Sequence, residues 1–318
     1  MKDRLKLEPT NYAKRRNPWI KRGIFIFIAA LLILGALFSS QFIIKKIQSK
    51  HVSISSIKKA WSSYDYQSVY ELSKKFLEEK PYNNTALAYY CYSCFFLSQA
   101  QSDTQSAQNY LDECINNARI AIYNASKSLK PQLYYMLGRA YFYKNTISSH
   151  YYADLAVKYL LLAKEAGYEA DDIPEYLGLS YAALGMPMDS ISSFTEALLI
   201  RESDSLLLAI AEQYCEAGEN NAAKQYLFRN INNSKNDEII IKSQLLLGNI
   251  YIADGDYEAA LDEFNNVLKK NENSADAHYG IGVIYEKQGN IVKARSEWRK
   301  ALKIQVNHAG ALQKLSEY

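Results

Sequence analysis

Two patterns of apolar residues divide the chain. Residues 24–44 form an apolar run that contains no charged side chain. Beyond this run, apolar residues recur three or four positions apart, which is the spacing that places them on one face of an α-helix. Turn-forming stretches such as Pro81–Asn84 and Asn271–Ser274 interrupt this second pattern. The chain is therefore predicted to be all-α, with one apolar N-terminal helix followed by many amphipathic helices.

The apolar run is long enough to cross a membrane. A helix of this length spans about 32 Å, and the hydrocarbon core of a bilayer is about 30 Å thick. Basic pairs, Lys21-Arg22 and Lys45-Lys46, close its two ends, and Trp19 lies where an aromatic interface anchor is expected. These features predict a single-pass membrane protein.

We place the predicted transmembrane helix at residues 23–44 and a basic N-terminal segment at residues 1–22. A cleaved signal peptide is the main alternative, but its apolar region has only about 7 to 15 residues. A buried core helix is a further alternative. The 20 residues before the run hold seven Lys/Arg and the 20 after it hold five. The positive-inside rule then favours an extracytoplasmic, periplasmic-side C-terminal domain.

A segment of 34 residues recurs in the C-terminal half of the chain. Leu247–Tyr251 reads Leu-Gly-Asn-Ile-Tyr, and 34 residues later Ile281–Tyr285 reads Ile-Gly-Val-Ile-Tyr. Each copy continues with a glycine, an alanine and a large aromatic residue at equal spacing: Gly255, Ala260 and Phe264 in one, and Gly289, Ala294 and Trp298 in the other. This period and these markers resemble the tetratricopeptide repeat.

The resemblance implies a stack of helical hairpins. In that family each unit consists of two antiparallel helices, with small residues where they cross and large residues between units. The similarity is strongest over residues 241–308, and earlier copies begin near Leu137–Tyr141 and Leu177–Tyr181. We therefore expect an α-α superhelix of about seven hairpins over residues 50–308, and a C-terminal capping helix over residues 309–318.

The distribution of charge bears on the class of partner. The formal net charge of +3 divides into +9 for residues 1–50 and −6 for the remainder. Nucleic-acid-binding surfaces need clustered positive charge. We therefore expect no nucleic acid partner, and an RNA-binding repeat of the pentatricopeptide type is disfavoured because the acidic body lacks a basic groove.

The sequence shows no motif for catalysis or metal binding. Cys91 and Cys94 form a C-x-x-C, but a zinc site needs two more ligands at comparable spacing. Because residues three apart share a helix face, we interpret this pair as core packing. A disulfide involving Cys114 would require an oxidising compartment. We expect no enzyme activity, no metal, no cofactor and no small-molecule substrate.

The resemblance also implies a partner-binding site on the concave surface of the superhelix, lined by first-helix residues that point away from the second helix. Aromatic residues with an occasional Arg are frequent there, as in binding hot spots. For each single residue the alternative is packing between neighbouring first helices. The predicted partner-binding residues are Tyr92, Phe95, Phe96, Tyr135, Arg139, Phe142, Tyr143, Leu179, Leu245, Asn249, Ile252 and Tyr279.

One subclass of the family grips the acidic C-terminal tail of a chaperone with a Lys/Asn/Arg clamp. Here the corresponding positions hold Leu245, Tyr279 and Asp276, and only Asn249 fits. We therefore expect an apolar or aromatic-containing peptide or protein segment as ligand. Because the layout is similar to that of bacterial membrane-tethered repeat proteins, the leading hypothesis is a membrane-anchored scaffold or adaptor in envelope assembly or secretion. The alternative is a cytoplasm-facing regulatory subunit that docks an enzyme.

Overall fold

The computed structural model describes residues 52–317, and within this range the chain forms fifteen helices joined by loops. Each of the first seven pairs of consecutive helices packs together as a hairpin, and one terminal helix follows. The predicted all-α superhelix is confirmed. The helices are α1 (Ile54–Ser62), α2 (Tyr66–Glu79), α3 (Asn84–Gln99), α4 (Thr104–Asn124), α5 (Lys130–Ile147), α6 (Ala153–Glu165), α7 (Ile173–Ala183), α8 (Pro187–Ile200), α9 (Asp204–Glu216), α10 (Asn220–Asn233), α11 (Asp237–Asp254), α12 (Tyr257–Lys270), α13 (Ala275–Lys287), α14 (Ile291–Ile304) and α15 (Ala309–Glu317).

Short polar side chains set where many of these helices begin. Asp256 accepts a hydrogen bond from the backbone N–H of Ala259 and so caps the N-terminus of α12. Gly255, with a φ of 79°, ends the preceding helix in the left-handed conformation that glycine adopts without strain. The turn between α11 and α12 is therefore specified by two adjacent residues.

Glycine and large rings meet where helices cross. A Cβ atom built on Gly280 would lie 2.4 Å from the ring of Phe264, and one built on Gly248 would lie 2.8 Å from the same ring. Gly282 approaches the indole of Trp298 in the same way, at 2.3 Å. Phe264 and Trp298 are fully buried. Large rings of the second helices thus fill the space that the glycines of the first helices leave.

The first helices of successive hairpins also touch each other. Such contacts join α1 to α3, α3 to α5, α5 to α7, α9 to α11, and α11 to α13, whereas contacts between successive second helices are sparse. The first helices therefore lie on the tighter, inner side of the superhelix. We call this side the concave face.

The prediction of a membrane-spanning helix requires correction. No helix formed by residues 52–317 combines the length and the apolar character needed to cross a bilayer. The predicted segments 1–22 and 23–44 lie outside the described residues. We therefore correct the fold class to an all-α superhelix without the transmembrane helix, and set aside the single-pass membrane localisation that depended on it.

The variant Gly280→Ala tests the packing around Phe264. The added methyl group would collide with the ring, and overpacking of this kind costs about 1–3 kcal/mol. Replacing glycine by alanine within a helix returns up to about 1 kcal/mol of helix propensity. We therefore expect a net loss of roughly 1–2 kcal/mol, measured as a lower midpoint of urea unfolding followed by circular dichroism.

The double variant Gly280→Ala with Phe264→Leu is the matched control. Leucine removes the ring atoms that the new methyl group would meet, so the double variant should lose less stability than the two single variants together. Strictly additive losses would show that the two positions do not interact.

Candidate partner-binding groove

Aromatic side chains are concentrated in the N-terminal half of the concave face. The ring centroid of Trp61, on α1, lies 5.6 Å from that of Tyr89, 5.8 Å from that of Tyr92 and 6.1 Å from that of Phe96, all on α3. Edge-to-face pairs of this kind stabilise an interface beyond their buried area. The first two hairpins are therefore joined by rings.

The rings continue from α3 across α5 to α7. Phe95 lies 5.5 Å from Tyr143, and Phe142 lies 4.9 Å from Tyr176, measured between centroids. The hydroxyl oxygens of Tyr143 and Tyr176 are 3.2 Å apart and hydrogen-bonded. We call this continuous set the aromatic wall, and its members are Trp61, Tyr89, Tyr92, Phe95, Phe96, Phe142, Tyr143 and Tyr176.

A cavity of about 440 Å³ opens beside the wall, lined by residues of the first three hairpins. We call it the Trp61 pocket. Its volume is in the range of sites that hold small ligands or anchoring side chains. Lys58, Thr85 and Gln132 supply its polar groups. The lining is completed by Trp61, Ala88, Tyr89, Tyr92 and Leu129.

Arg139, on α5, is held among aromatic rings. Its guanidinium carbon lies 4.6 Å from the ring centroid of Phe95, 5.3 Å from that of Tyr135 and 5.4 Å from that of Tyr176. Its Nη1 donates a hydrogen bond to the Tyr135 hydroxyl over 3.2 Å. That hydroxyl in turn donates to the carboxylate of Asp172, at 2.8 and 2.7 Å from its two oxygens.

Burial, together with the hydrogen bond to Asp172, raises the pKa of the Tyr135 hydroxyl far above its usual value. Burial raises the pKa of Tyr176 to about 12, with a further contribution from its hydrogen bond to Tyr143. Both hydroxyls therefore stay protonated at neutral pH. They remain neutral groups that can donate hydrogen bonds around the Arg139 cation.

The structure places the twelve predicted partner-binding residues at three levels of exposure. Phe95 and Tyr135 are buried, at 1% and 7% exposure, and therefore support the groove from beneath. Leu179 and Asn249 are exposed. The remaining eight are half-buried: Tyr92, Phe96, Arg139, Phe142, Tyr143, Leu245, Ile252 and Tyr279.

The N-terminal members of this set come together, and the C-terminal members do not join them. Leu245 and Ile252 pack on the apolar cluster around Phe264. Tyr279 lies against His308, with ring centroids 5.0 Å apart. These three residues therefore take part in packing within and between the last units. A partner-binding role for the twelve residues stays a prediction.

Sequence reasoning missed the N-terminal end of the groove. Trp61 and Lys58 line the pocket but belong to the first unit, which has Ile57 where most later units have glycine. The 34-residue period could have predicted both residues, because Trp61 lies 34 residues before Phe95 and Lys58 lies 34 residues before Tyr92.

The cysteines of the C-x-x-C pair pack in the core. Cys91, Cys94 and Cys114 are fully buried in one apolar cluster of α3 and α4. Burial raises the pKa of the Cys91 thiol well above its usual value. Within residues 52–317, no three His, Cys, Asp or Glu side chains are grouped so that they could hold a metal ion.

Comparison with known families identifies the class of repeat. A family model described as "TPR repeat" matches residues 248–289, and one described as "Tetratricopeptide repeat" matches residues 275–308. Residues 248–308 therefore belong to the tetratricopeptide repeat family. The matched residues extend from α11 to the loop after α14, where the 34-residue pattern is most regular.

Two curated proteins are similar to this tetratricopeptide repeat chain over part of its length. The anaphase-promoting complex subunit CDC16 of Saccharomyces cerevisiae is 28% identical over 141 residues, which is 43% of this chain and 17% of that protein. Protein bimA of Emericella nidulans is 33% identical over 64 residues, 20% of this chain and 8% of that protein. The chain therefore spans less than a fifth of each relative.

A solved structure shares the fold. The C-terminal part of a TPR repeat-containing protein from Cytophaga hutchinsonii superposes with a TM-score of 0.58, covering 83% of this chain and 99% of that chain. The two are 15% identical. This likeness concerns the fold alone.

The burial of the cysteines predicts how the tetratricopeptide repeat domain reacts with thiol reagents. Cys215 is half-buried, and burial raises its pKa to about 11, whereas Cys91, Cys94 and Cys114 are inaccessible. Because the thiolate is the reactive form, iodoacetamide at neutral pH should modify Cys215 slowly and the other three only after unfolding. Mass spectrometry of the labelled full chain counts the modified sites.

The control for this experiment is Cys215→Ala, which should take up no label on its described cysteines while folded. Rapid labelling of Cys91 or Cys94 in the native chain would contradict their assignment to the core.

Proposed function

We propose that this tetratricopeptide repeat protein is a scaffold or adaptor that binds an extended segment of a protein partner along the N-terminal half of its concave face. The observation that carries the proposal is the aromatic wall with the Trp61 pocket open beside it. Rings are efficient anchors because they bury a large area and lose little conformational freedom on binding.

Packing between helices does not account for the whole arrangement. Phe95 is buried and serves the core, but Trp61, Tyr89 and Tyr92 each leave part of their surface on the open pocket. A side chain of a partner can therefore enter between them. Such an anchor would remove apolar surface from water on both molecules.

Polar groups at the rim can orient the bound segment. The side chains of Thr85 and Gln132 are exposed beside the pocket, and Lys58 is exposed at its α1 end. These groups can hydrogen-bond the backbone of an extended peptide while its side chains contact the rings. This division into apolar anchors and a polar rim is usual in protein interfaces.

The relatives support a role in protein assembly. One of them is named as a subunit of the anaphase-promoting complex, and the similarity covers 43% of this chain. Docking of an enzyme as a regulatory subunit would use the same face, so the partner's identity separates the two functions. A role in envelope assembly depended on the membrane anchor and is not carried into this proposal.

Two variants at the Trp61 pocket test the function. The full chain is immobilised and panned against a displayed library of random linear peptides, and enriched peptides are titrated by fluorescence anisotropy. We expect apolar or aromatic side chains to be enriched. Trp61→Ala should weaken binding by at least about tenfold, because a central anchor contributes about 2 kcal/mol or more.

The second variant is Thr85→Trp, which fills the pocket without removing any packed side chain, since Thr85 is exposed. It should also weaken binding. Val292→Ala is the matched control, because Val292 is 83% exposed on the second helix α14. Failure to enrich any peptide over the bare support, or unchanged binding by both pocket variants, would contradict the proposal.

A further inference from the structure

Arg139 is a half-buried cation that forms no ion pair with a carboxylate of residues 52–317. The hydrogen bond from its Nη1 goes to a neutral hydroxyl, that of Tyr135. Its Nε is buried and has no hydrogen-bond partner within the described residues. The nearby carboxylate of Asp172 is instead bound by the Tyr135 hydroxyl at both oxygens.

Three other partly buried cations of the domain are paired. Lys144 binds Asp112, Lys224 lies 2.6 Å from an oxygen of Asp254, and Lys314 lies 2.8 Å from one of Glu286. A cation withdrawn from water normally needs such a partner, because its lost hydration is otherwise poorly replaced. Arg139 receives instead the faces of three aromatic rings, together with the field of the nearby Asp172 carboxylate, with which it forms no direct ion pair.

The rings also fix the position and orientation of the Arg139 guanidinium. They contact it from α3, α5 and α7, and the Tyr135 hydroxyl holds Nη1. A planar guanidinium held in this way presents its remaining N–H donors in one orientation, which matches the two oxygens of a carboxylate. The Tyr176 ring lies beside it. One hydroxyl proton of the Tyr143–Tyr176 pair is used in their mutual hydrogen bond, and the other can be donated to an anion.

We propose that Arg139 binds the side-chain carboxylate of an Asp or Glu within the partner segment, with apolar residues on both sides of that acidic residue. This inference rests on the proposed function, because it names the chemistry of the segment that the groove binds.

The position of Arg139 favours an internal acidic residue over a chain terminus. On one side of it, α1 and α3 carry the Trp61 pocket. On the other side, α7 carries Leu179, which is 38% exposed. Apolar contact sites therefore lie both before and after Arg139 along the concave face, so a segment that occupies both continues past the cation.

The experiment uses the random-peptide library displayed through the peptide C-termini, so that every carboxylate in the random region comes from a side chain. We expect the enriched peptides to share one Asp or Glu flanked by apolar residues. Synthetic versions of these peptides, with amidated C-termini and with Glu replaced by Gln or Asp by Asn, are then titrated against the full chain. The loss on replacement should be at least about tenfold.

Arg139→Met separates direct binding from a structural role. This variant removes the charge but keeps an unbranched side chain of similar length, so it should bind the acidic and amide peptides with affinities within about twofold of each other. Arg139→Lys keeps the charge without the planar fork and should show an intermediate preference. Lys303→Met is the matched control, because Lys303 is exposed on the second helix α14, and it should retain the full preference for the acidic peptide.

Three results would overturn the inference. The first is enrichment of peptides without a shared acidic residue, and the second is an equal preference for acid over amide in Arg139→Met and the unaltered chain. The third is enrichment only from a library with free C-termini. In each of these cases peptides still bind, so the proposed peptide-binding function is retained and only the inference about Arg139 is contradicted. Failure to enrich any peptide would contradict both.

Discussion

Every hairpin of this domain has an apolar side that only the next hairpin covers. Phe264 shows the constraint most directly, since its ring lies against Gly248 of its own unit and Gly280 of the following one. A side chain at Gly280 would push the two units apart, and one at Gly248 would separate the two helices of the hairpin. The stack therefore depends on small residues of the first helices lying opposite large rings of the second helices, and it propagates because each unit meets its neighbour by the same contact.

The first two units depart from this rule, and the departure produces the groove. Ile57 and Cys91 stand where later units have glycine or alanine, and the Cys91 side chain meets Cys114 of the second helix rather than a ring. In this region the first helices also carry large rings. There they face the concave side, where Trp61 and Tyr92 leave an open pocket. The region that fits the repeat pattern least is thus the region that carries the Trp61 pocket.

This difference explains what could be predicted from the sequence. The spacing of Gly248, Phe264, Gly282 and Trp298 predicted the hairpins, because the crossing contact requires those residue types at that period. Trp61 was not predicted as a groove residue because the marker glycine is missing from its unit. The burial of Tyr135 also could not be predicted. Whether such a residue faces solvent or a neighbouring helix depends on the angle between hairpins, which the packing of whole units sets and the period does not.

The helices of residues 52–317 are not candidates for membrane spans, for a related reason. A run of apolar residues is a local signal, and the helices of residues 52–317 carry their apolar residues at helical spacing, with polar residues between them. Helices built in this way bury one face against their neighbours and leave the other to water. Their apolar content therefore stabilises the stack of hairpins.

With aromatic rings alone, the groove would bind many different peptide sequences, because apolar contacts tolerate many side chains and many registers. A single fixed charge changes this, since an interface with one desolvated cation favours partners that supply the matching anion at the matching position. The role of Tyr135 is decisive here. By donating its hydroxyl to both oxygens of Asp172, it lies between that carboxylate and Arg139, so the two charges act on each other without direct contact. The wall thus keeps the charge unpaired within the described fold, at the centre of the surface that otherwise selects only for apolar area.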